Sequence, residues 1–117
     1  MQTDSKKYSI GLRVWVKEET QGSFLGIGRI QLLENIKKTG SITQGAANMK
    51  MSYRQAWQMV QEINTISKEP LVEKILGGKG GGGAKLTDAG EKAIKLFYKL
   101  EDKMNLYAEK LTKELKF

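Results

Sequence analysis

Two short runs hold residue types whose spacing can do chemistry. Ser52-Tyr53-Arg54-Gln55-Ala56-Trp57-Gln58 gathers a hydroxyl, a phenol, a guanidinium and two carboxamides. Arginine pairs bidentately with guanine and glutamine with adenine in the major groove, so this run has the donors and acceptors to read bases. Leu76 to Thr87 reads LGGKGGGGAKLT, with six glycines and one lysine in a row of seven. Glycine-rich loops ahead of helices hold phosphates, because backbone N–H groups then reach an anion that no side chain obstructs.

Whose phosphate it is depends on context. Gly78 to Gly83 formally satisfies G-x-G-x-x-G, with Glu101 about twenty residues on. A glycine run satisfies any glycine template, however, and the strand–helix–strand unit of a dinucleotide site is missing. The Walker pattern fails at Gly80, where a serine or threonine should bind magnesium. A flexible linker is the other reading of such a run. An apolar strand before it and a capped helix after it make it a hairpin tip instead.

Composition turns the reading away from catalysis. The 117 residues include no cysteine and no histidine. That removes the thiolate nucleophile, the usual metal ligands and the commonest general base. No paired carboxylates take their place, so no enzyme activity, cofactor or metal is expected. Lys and Arg number 20 against 13 Asp and Glu, a formal charge of +7. A basic chain of this size suits a polyanion. No apolar run approaches the ~20 residues that cross a bilayer, and the N-terminus lacks a signal peptide's apolar core and cleavage site. A soluble cytoplasmic protein with no membrane partner is expected.

The elements that position the two runs follow from hydrophobic periodicity. From Tyr8 to Glu18 the chain alternates, with Ile10, Leu12, Val14 and Val16 on one side, and Gln21-Gly22-Ser23 ends the strand. Ile27, Ile30, Leu33 and Ile36 recur at helical spacing over 27–39, with Gly40 as the stop. Ser41-Ile42-Thr43-Gln44 and Ser52-Tyr53-Arg54-Gln55 each fit a capping box. The first opens a short helix from Ile42 to Met49, and the small pair Ala46-Ala47 lets it cross its neighbour closely. The second opens a longer helix with Tyr53, Ala56, Trp57, Val60 and Ile63 on its apolar face, which places Trp57 in the core. It ends before Pro70, because the residue ahead of a proline avoids helical geometry.

A short helix, a tight turn and a longer amphipathic helix make a helix-turn-helix. Leu71 to Leu76 then reads as a strand and AKLT as its return, and a hairpin in that place is a wing. From a cap at Thr87 or Asp88, Ala89, Ala93, Leu96, Leu100, Met104, Ala108, Leu111 and Leu115 recur at steps of three and four, broadened by Phe97 and Tyr107. The stripe is longer than a small domain covers by itself, which points to a dimerisation helix rather than a core helix. The expected fold class is mainly α with a small β component: a winged helix-turn-helix with an N-terminal strand and a long C-terminal dimerisation helix. It is read as a single domain over 1–117, with an 8–18 strand, a 27–67 three-helix core, a 71–87 wing and an 88–116 dimerisation helix.

These residues carry a resemblance. GSITQGA (Gly40 to Ala46), MSYRQAW (Met51 to Trp57), EIN (Glu62 to Asn64), LVE (Leu71 to Glu73) and GGKGGGGAKLT (Gly77 to Thr87) resemble the N-terminal DNA-binding domain of the ModE family of molybdate-responsive transcriptional regulators. The resemblance runs from about Arg29 into the final helix, and less distinctively over Tyr8 to Glu18. It implies a winged helix-turn-helix that dimerises through its first strand and last helix and binds palindromic operators, by analogy those of molybdenum-related genes. Molybdate-sensing members continue into C-terminal oxyanion-binding domains. This sequence ends at Phe117, so the expectation is a ModE-like DNA-binding domain without the molybdate-binding one.

Recognition helices meet base edges with their N-terminal residues, so the expected base readers are Ser52, Tyr53, Arg54, Gln55 and Gln58. Gln55 has the alternative task of completing its capping box. Expected DNA-backbone contacts are Ser41, Thr43 and Gln44 at a helix's positive end, Lys50 in the turn, and Lys74, Lys79 and Lys85 on the wing. Val14, Val16, Leu96, Leu100, Met104 and Leu111 are the expected dimerisation residues. The expected partners are double-stranded DNA and a second copy, with an effector or protein partner left open. The alternative function is a winged-helix module that meets an acidic protein or RNA without operator specificity.

Overall fold

A computed structural model describes residues 6–76 and 83–117. The chain order is β1 (Trp15–Glu18), β2 (Gly22–Gly26), α1 (Ile27–Thr39), α2 (Ile42–Asn48), α3 (Tyr53–Ile66), β3 (Val72–Ile75), β4 (Gly83–Leu86) and α4 (Asp88–Thr112). The strands form two separate antiparallel hairpins, β1 with β2 and β3 with β4. This is the winged helix-turn-helix that periodicity predicts, with one substantial difference at the N-terminus.

The expected strand over 8–18 is regular only from Trp15, and its partner is a second strand in the segment read as its end. The turn between them is tied by the Glu18 carboxylate. It accepts from the Thr20 N–H, the Thr20 hydroxyl and the Gln21 N–H, each at 2.8 Å. These bonds, the Thr20 hydroxyl foremost, hold the Glu18 carboxyl below its ordinary pKa. Before Trp15 the alternating pattern has no partner strand to pair with among the described residues. That stretch instead reaches the far end of α4, where the Ile10 N–H donates to Thr112 Oγ1 at 3.2 Å and the Tyr8 ring meets Phe117 edge-on at 5.3 Å. Leu12, expected inside, is exposed.

The core lies among the first three helices, the wing and the middle of α4. Ile30, Leu32, Leu33 and Ile36 of α1, Ala56, Val60 and Ile63 of α3, and Phe97 of α4 are all essentially sealed from solvent. Burying each of the larger side chains contributes about 1.5–3 kcal/mol. Gly40, left-handed at φ 70°, ends α1 by donating to the Ile36 carbonyl at 2.7 Å. Of the small pair expected to let α2 cross α3 closely, Ala46 is buried; on its other side α2 approaches α1 at Gly45. A Cβ at position 45 would meet Ile36 at 3.2 Å, whereas Ala47 faces solvent.

Candidate nucleic-acid interface

The two serines read as helix caps act as caps. Ser41 Oγ accepts from the Gln44 N–H at 3.1 Å and Ser52 Oγ from the Gln55 N–H at 3.0 Å. Among the described residues neither glutamine side chain returns the bond, so the boxes are half closed and Gln55 keeps its carboxamide free. Between the two helices Lys50 takes a left-handed φ of 55°, a conformation that costs a non-glycine residue on the order of 1–2 kcal/mol.

At 3.6 residues per turn, Arg54, Gln58 and Gln61 share about 60° of α3's circumference, opposite Ala56, Val60 and Ile63. All three are exposed, as are Ser52, Tyr53 and Gln55. The base-reading candidates are therefore all exposed, but only Arg54 and Gln58 share the arc opposite the core, where Gln61 joins them; Tyr53 and Gln55 flank it on either side. The signal for Gln61 was present in the sequence as the i+7 partner of Arg54.

The wing is fixed to this helix by its backbone. Asn64 Oδ1 accepts from the N–H groups of Leu71 and Val72 at 2.9 and 3.2 Å, and its Nδ2 donates to the Val72 carbonyl at 2.9 Å. Ala84 N–H donates to the Gly40 carbonyl at 2.9 Å, and Thr87 N–H to the Leu71 carbonyl at 3.0 Å. Gly90 lies against that same Leu71 carbonyl, where a Cβ would overlap it. Asn64 thus ties the hairpin to α3, the Ala84–Gly40 bond ties it to the end of α1, and Gly90 packs α4 against its base.

The wing divides its two described lysines. Side chains alternate along a strand, so Lys74 lies on the same face as buried Val72 and its cross-strand neighbour Ala84. Lys74 lines a cleft of about 280 Å³ with Ser41, Thr43 and Tyr53. Lys85 is paired with Glu73 on the opposite face, in a hollow that also holds Glu69 and Asp88. Lys79 lies outside the described residues. Gln44 and Lys50 are exposed but do not line the cleft.

Trp57 departs from its expected core position. Its side chain is 38% exposed, and the Lys74 ammonium sits 5.8 Å from its ring centroid. The true core stripe is Ala56, Val60 and Ile63, and Trp57 lies one residue to its side. Tyr53 is likewise half exposed.

The candidate dimerisation residues separate into two groups. Val14 and Val16 pack against the core of their own chain. On α4, Leu96, Leu100 and Met104 are 56%, 38% and 46% exposed, and Leu111 is half-buried. Among the described residues no helix is long and apolar enough to cross a membrane, and no cluster of acidic side chains could hold a metal ion.

Residues 27–91, from the first helix to the start of α4, match the bacterial regulatory helix-turn-helix protein family, lysR family. The chain belongs to this family. The resemblance read from the sequence motifs also appears in whole relatives. The chain is 54% identical to the transcriptional regulator ModE of Yersinia pestis over 59% of its own length and 26% of the relative's. It is 49% identical to the DNA-binding transcriptional dual regulator ModE of Escherichia coli K12 over the same shares, 59% and 26%. It is 36% identical to the molybdenum transport protein ModE of Azotobacter vinelandii, over 80% of this chain and 35% of that one. The chain thus spans about a quarter to a third of the length of these relatives. The matching family is described as one of bacterial regulatory helix-turn-helix proteins, and the Escherichia coli relative is named a DNA-binding transcriptional regulator.

Proposed function

We propose that this lysR-family protein binds a specific duplex operator as a homodimer, with α3 in the major groove. The observation that carries the reading is the arc of Arg54, Gln58 and Gln61, exposed beside a wing anchored to the same helix. Arginine and glutamine at the start of such a helix can take guanine and adenine bidentately. Ser41, Thr43 and Lys74 around their cleft suit a phosphate of the flanking strand. Two copies joined along α4 bring two α3 helices to successive major grooves, roughly 34–36 Å apart. The names of the relatives support molybdenum-related genes as the targets. Binding to operators in this way is work for the cytoplasm.

The test is Arg54→Ala, measured by fluorescence anisotropy on the preferred duplex and on single-base variants of it. The variant is expected to lose about 1–3 kcal/mol on the preferred site and to become indifferent at one position per half-site. A variant that keeps the same preference by the same ratio sinks the assignment of α3 as the reading helix.

A further inference from the structure

The contact between Trp57 and Lys74 joins the reading helix to the wing, and nothing in the sequence pattern announces it. We propose that Trp57 is a DNA-docking residue, an exposed ring that holds the Lys74 ammonium in the angle between α3 and the wing for a backbone phosphate. The inference rests on the functional reading above and deepens it.

Three observations carry it. The first is position. Trp57 follows Tyr53 by four residues and precedes Asn64 by seven, so all three share one flank of α3. Asn64 bonds the wing, so this is the flank the wing faces. With α3 in a major groove and the wing beside it, the sugar–phosphate strand between them passes along that flank. The second is exposure: Trp57 is 38% exposed, so part of its ring is open to a ligand on the flank beside Lys74. The third is the lysine. Its ammonium lies 5.8 Å from the ring centroid, in range of the negative face of the indole. A free lysine loses considerable rotamer freedom on meeting a phosphate, and one already resting on a ring loses less. Lys74 also lines the cleft with Ser41, Thr43 and Tyr53, which puts its residue among hydroxyl-bearing neighbours at the junction of α3 and the wing.

The test measures duplex affinity against salt for wild type, Trp57→Leu, Trp57→Phe, Lys74→Met and the Trp57→Leu/Lys74→Met double variant. Trp57→Leu is expected to lose roughly tenfold on every duplex sequence. Its log–log salt slope should shrink by about one unit as the Lys74 contact goes. Trp57→Phe, which keeps a ring, should recover most of both, and adding Lys74→Met to Trp57→Leu should cost little more. In a Trp15→Phe background Trp57 is the sole tryptophan, and its emission should change on saturation with duplex. An unchanged slope with Trp57→Leu, losses that multiply in the double variant, or unchanged emission would each overturn the proposal. Circular dichroism identifies a variant that unfolds, and the slopes of Trp57→Phe and Lys74→Met then decide the proposal: a Lys74→Met slope equal to wild type overturns it. Wild type that binds no duplex sinks the functional reading and this inference together. Wild type that binds while Trp57→Leu matches it sinks the inference alone.

Discussion

The wing-side flank of α3 and one face of α4 both expose large apolar side chains, but in different surroundings. On α3 the exposed rings of Tyr53 and Trp57 are interleaved with Arg54 and Lys74, each apolar surface beside a charge or a hydrogen-bonding group. On α4, Leu96, Leu100, Met104 and Tyr107 are 56%, 38%, 46% and 60% exposed within about 80° of the helix circumference. Lys92, Lys99 and Lys103 border one edge of that arc, and Lys95, Glu101 and Asp102 lie farther round the helix. Rings mixed with cations suit a polyanion that brings both charge and flat sugar surface. A continuous aliphatic stripe suits another stripe like itself, because only burial against apolar surface returns free energy there. Exposure alone does not separate the two faces. What surrounds the exposed carbon does.

The strongest way to break this comparison is to place charge on the α4 stripe. Leu100→Glu with Met104→Glu is expected to raise the dimer dissociation constant by on the order of a hundredfold or more, since a dimer would bury unpaired carboxylates. Sedimentation analysis reads the change, and circular dichroism should show the helices retained. An unaltered association state would mean that α4 is not the seam.

The next test sharpens the basic face. Lys74→Ala should reduce the salt slope of duplex binding by about one unit, whereas Lys85→Ala, on the acid-lined side of the hairpin, should leave it nearly unchanged. Equal effects would show that the two faces of the wing do not differ as their geometry indicates. Smaller still is Lys50→Gly, which relieves the left-handed strain and should raise unfolding stability by about 1 kcal/mol in urea. A simultaneous fall in the salt slope would mark Lys50 as a phosphate contact, and an unchanged slope would leave it structural.

The smallest effect lies where α4 meets α1. The Tyr98 hydroxyl donates to Glu34 at 2.7 Å, and this bond, reinforced by burial and by the charges of Glu34 and Glu101, pushes the phenol up to about 12. A raised pKa favours the neutral phenol in the fold. Its contribution is complete below the ordinary tyrosine value of about 10 and disappears as pH rises toward about 12. Near neutrality Tyr98 is therefore silent to pH. In an ultraviolet titration, Tyr98→Phe should remove an absorbance step near pH 12. Loss of a step near pH 10 instead would mean that the Glu34 bond does not form in solution.

Much of this architecture was legible because local signals agreed with one another. Gly40, Ser41, Ser52 and Thr87 each mark a helix end that backbone chemistry requires, and the structure uses all four as caps. The hairpin β1–β2 was harder to read, because Gly22–Gly26 carries only Phe24 and Leu25 as apolar residues between two glycines. The segment before Trp15 alternates as a strand does, but alternation cannot supply a pairing partner. Trp57 was misplaced because helical periodicity locates a side chain only to within one neighbour, and Ala56 fills the core position beside it. That Lys74 and Lys85 face opposite ways depends on strand register, which pairs Lys74 with Ala84 and Glu73 with Lys85.

The central claim is that the α3 face reads a defined sequence and does so twice. Selection of bound duplexes from a random pool tests it most directly, run with and without molybdate on wild type and Arg54→Ala in parallel. Wild type should enrich an inverted repeat with half-site centres about 10 base pairs apart. The Arg54→Ala pool should relax at one position per half-site. Retention of duplexes with no common sequence would contradict that claim, leaving a basic winged helix that holds nucleic acid without reading it.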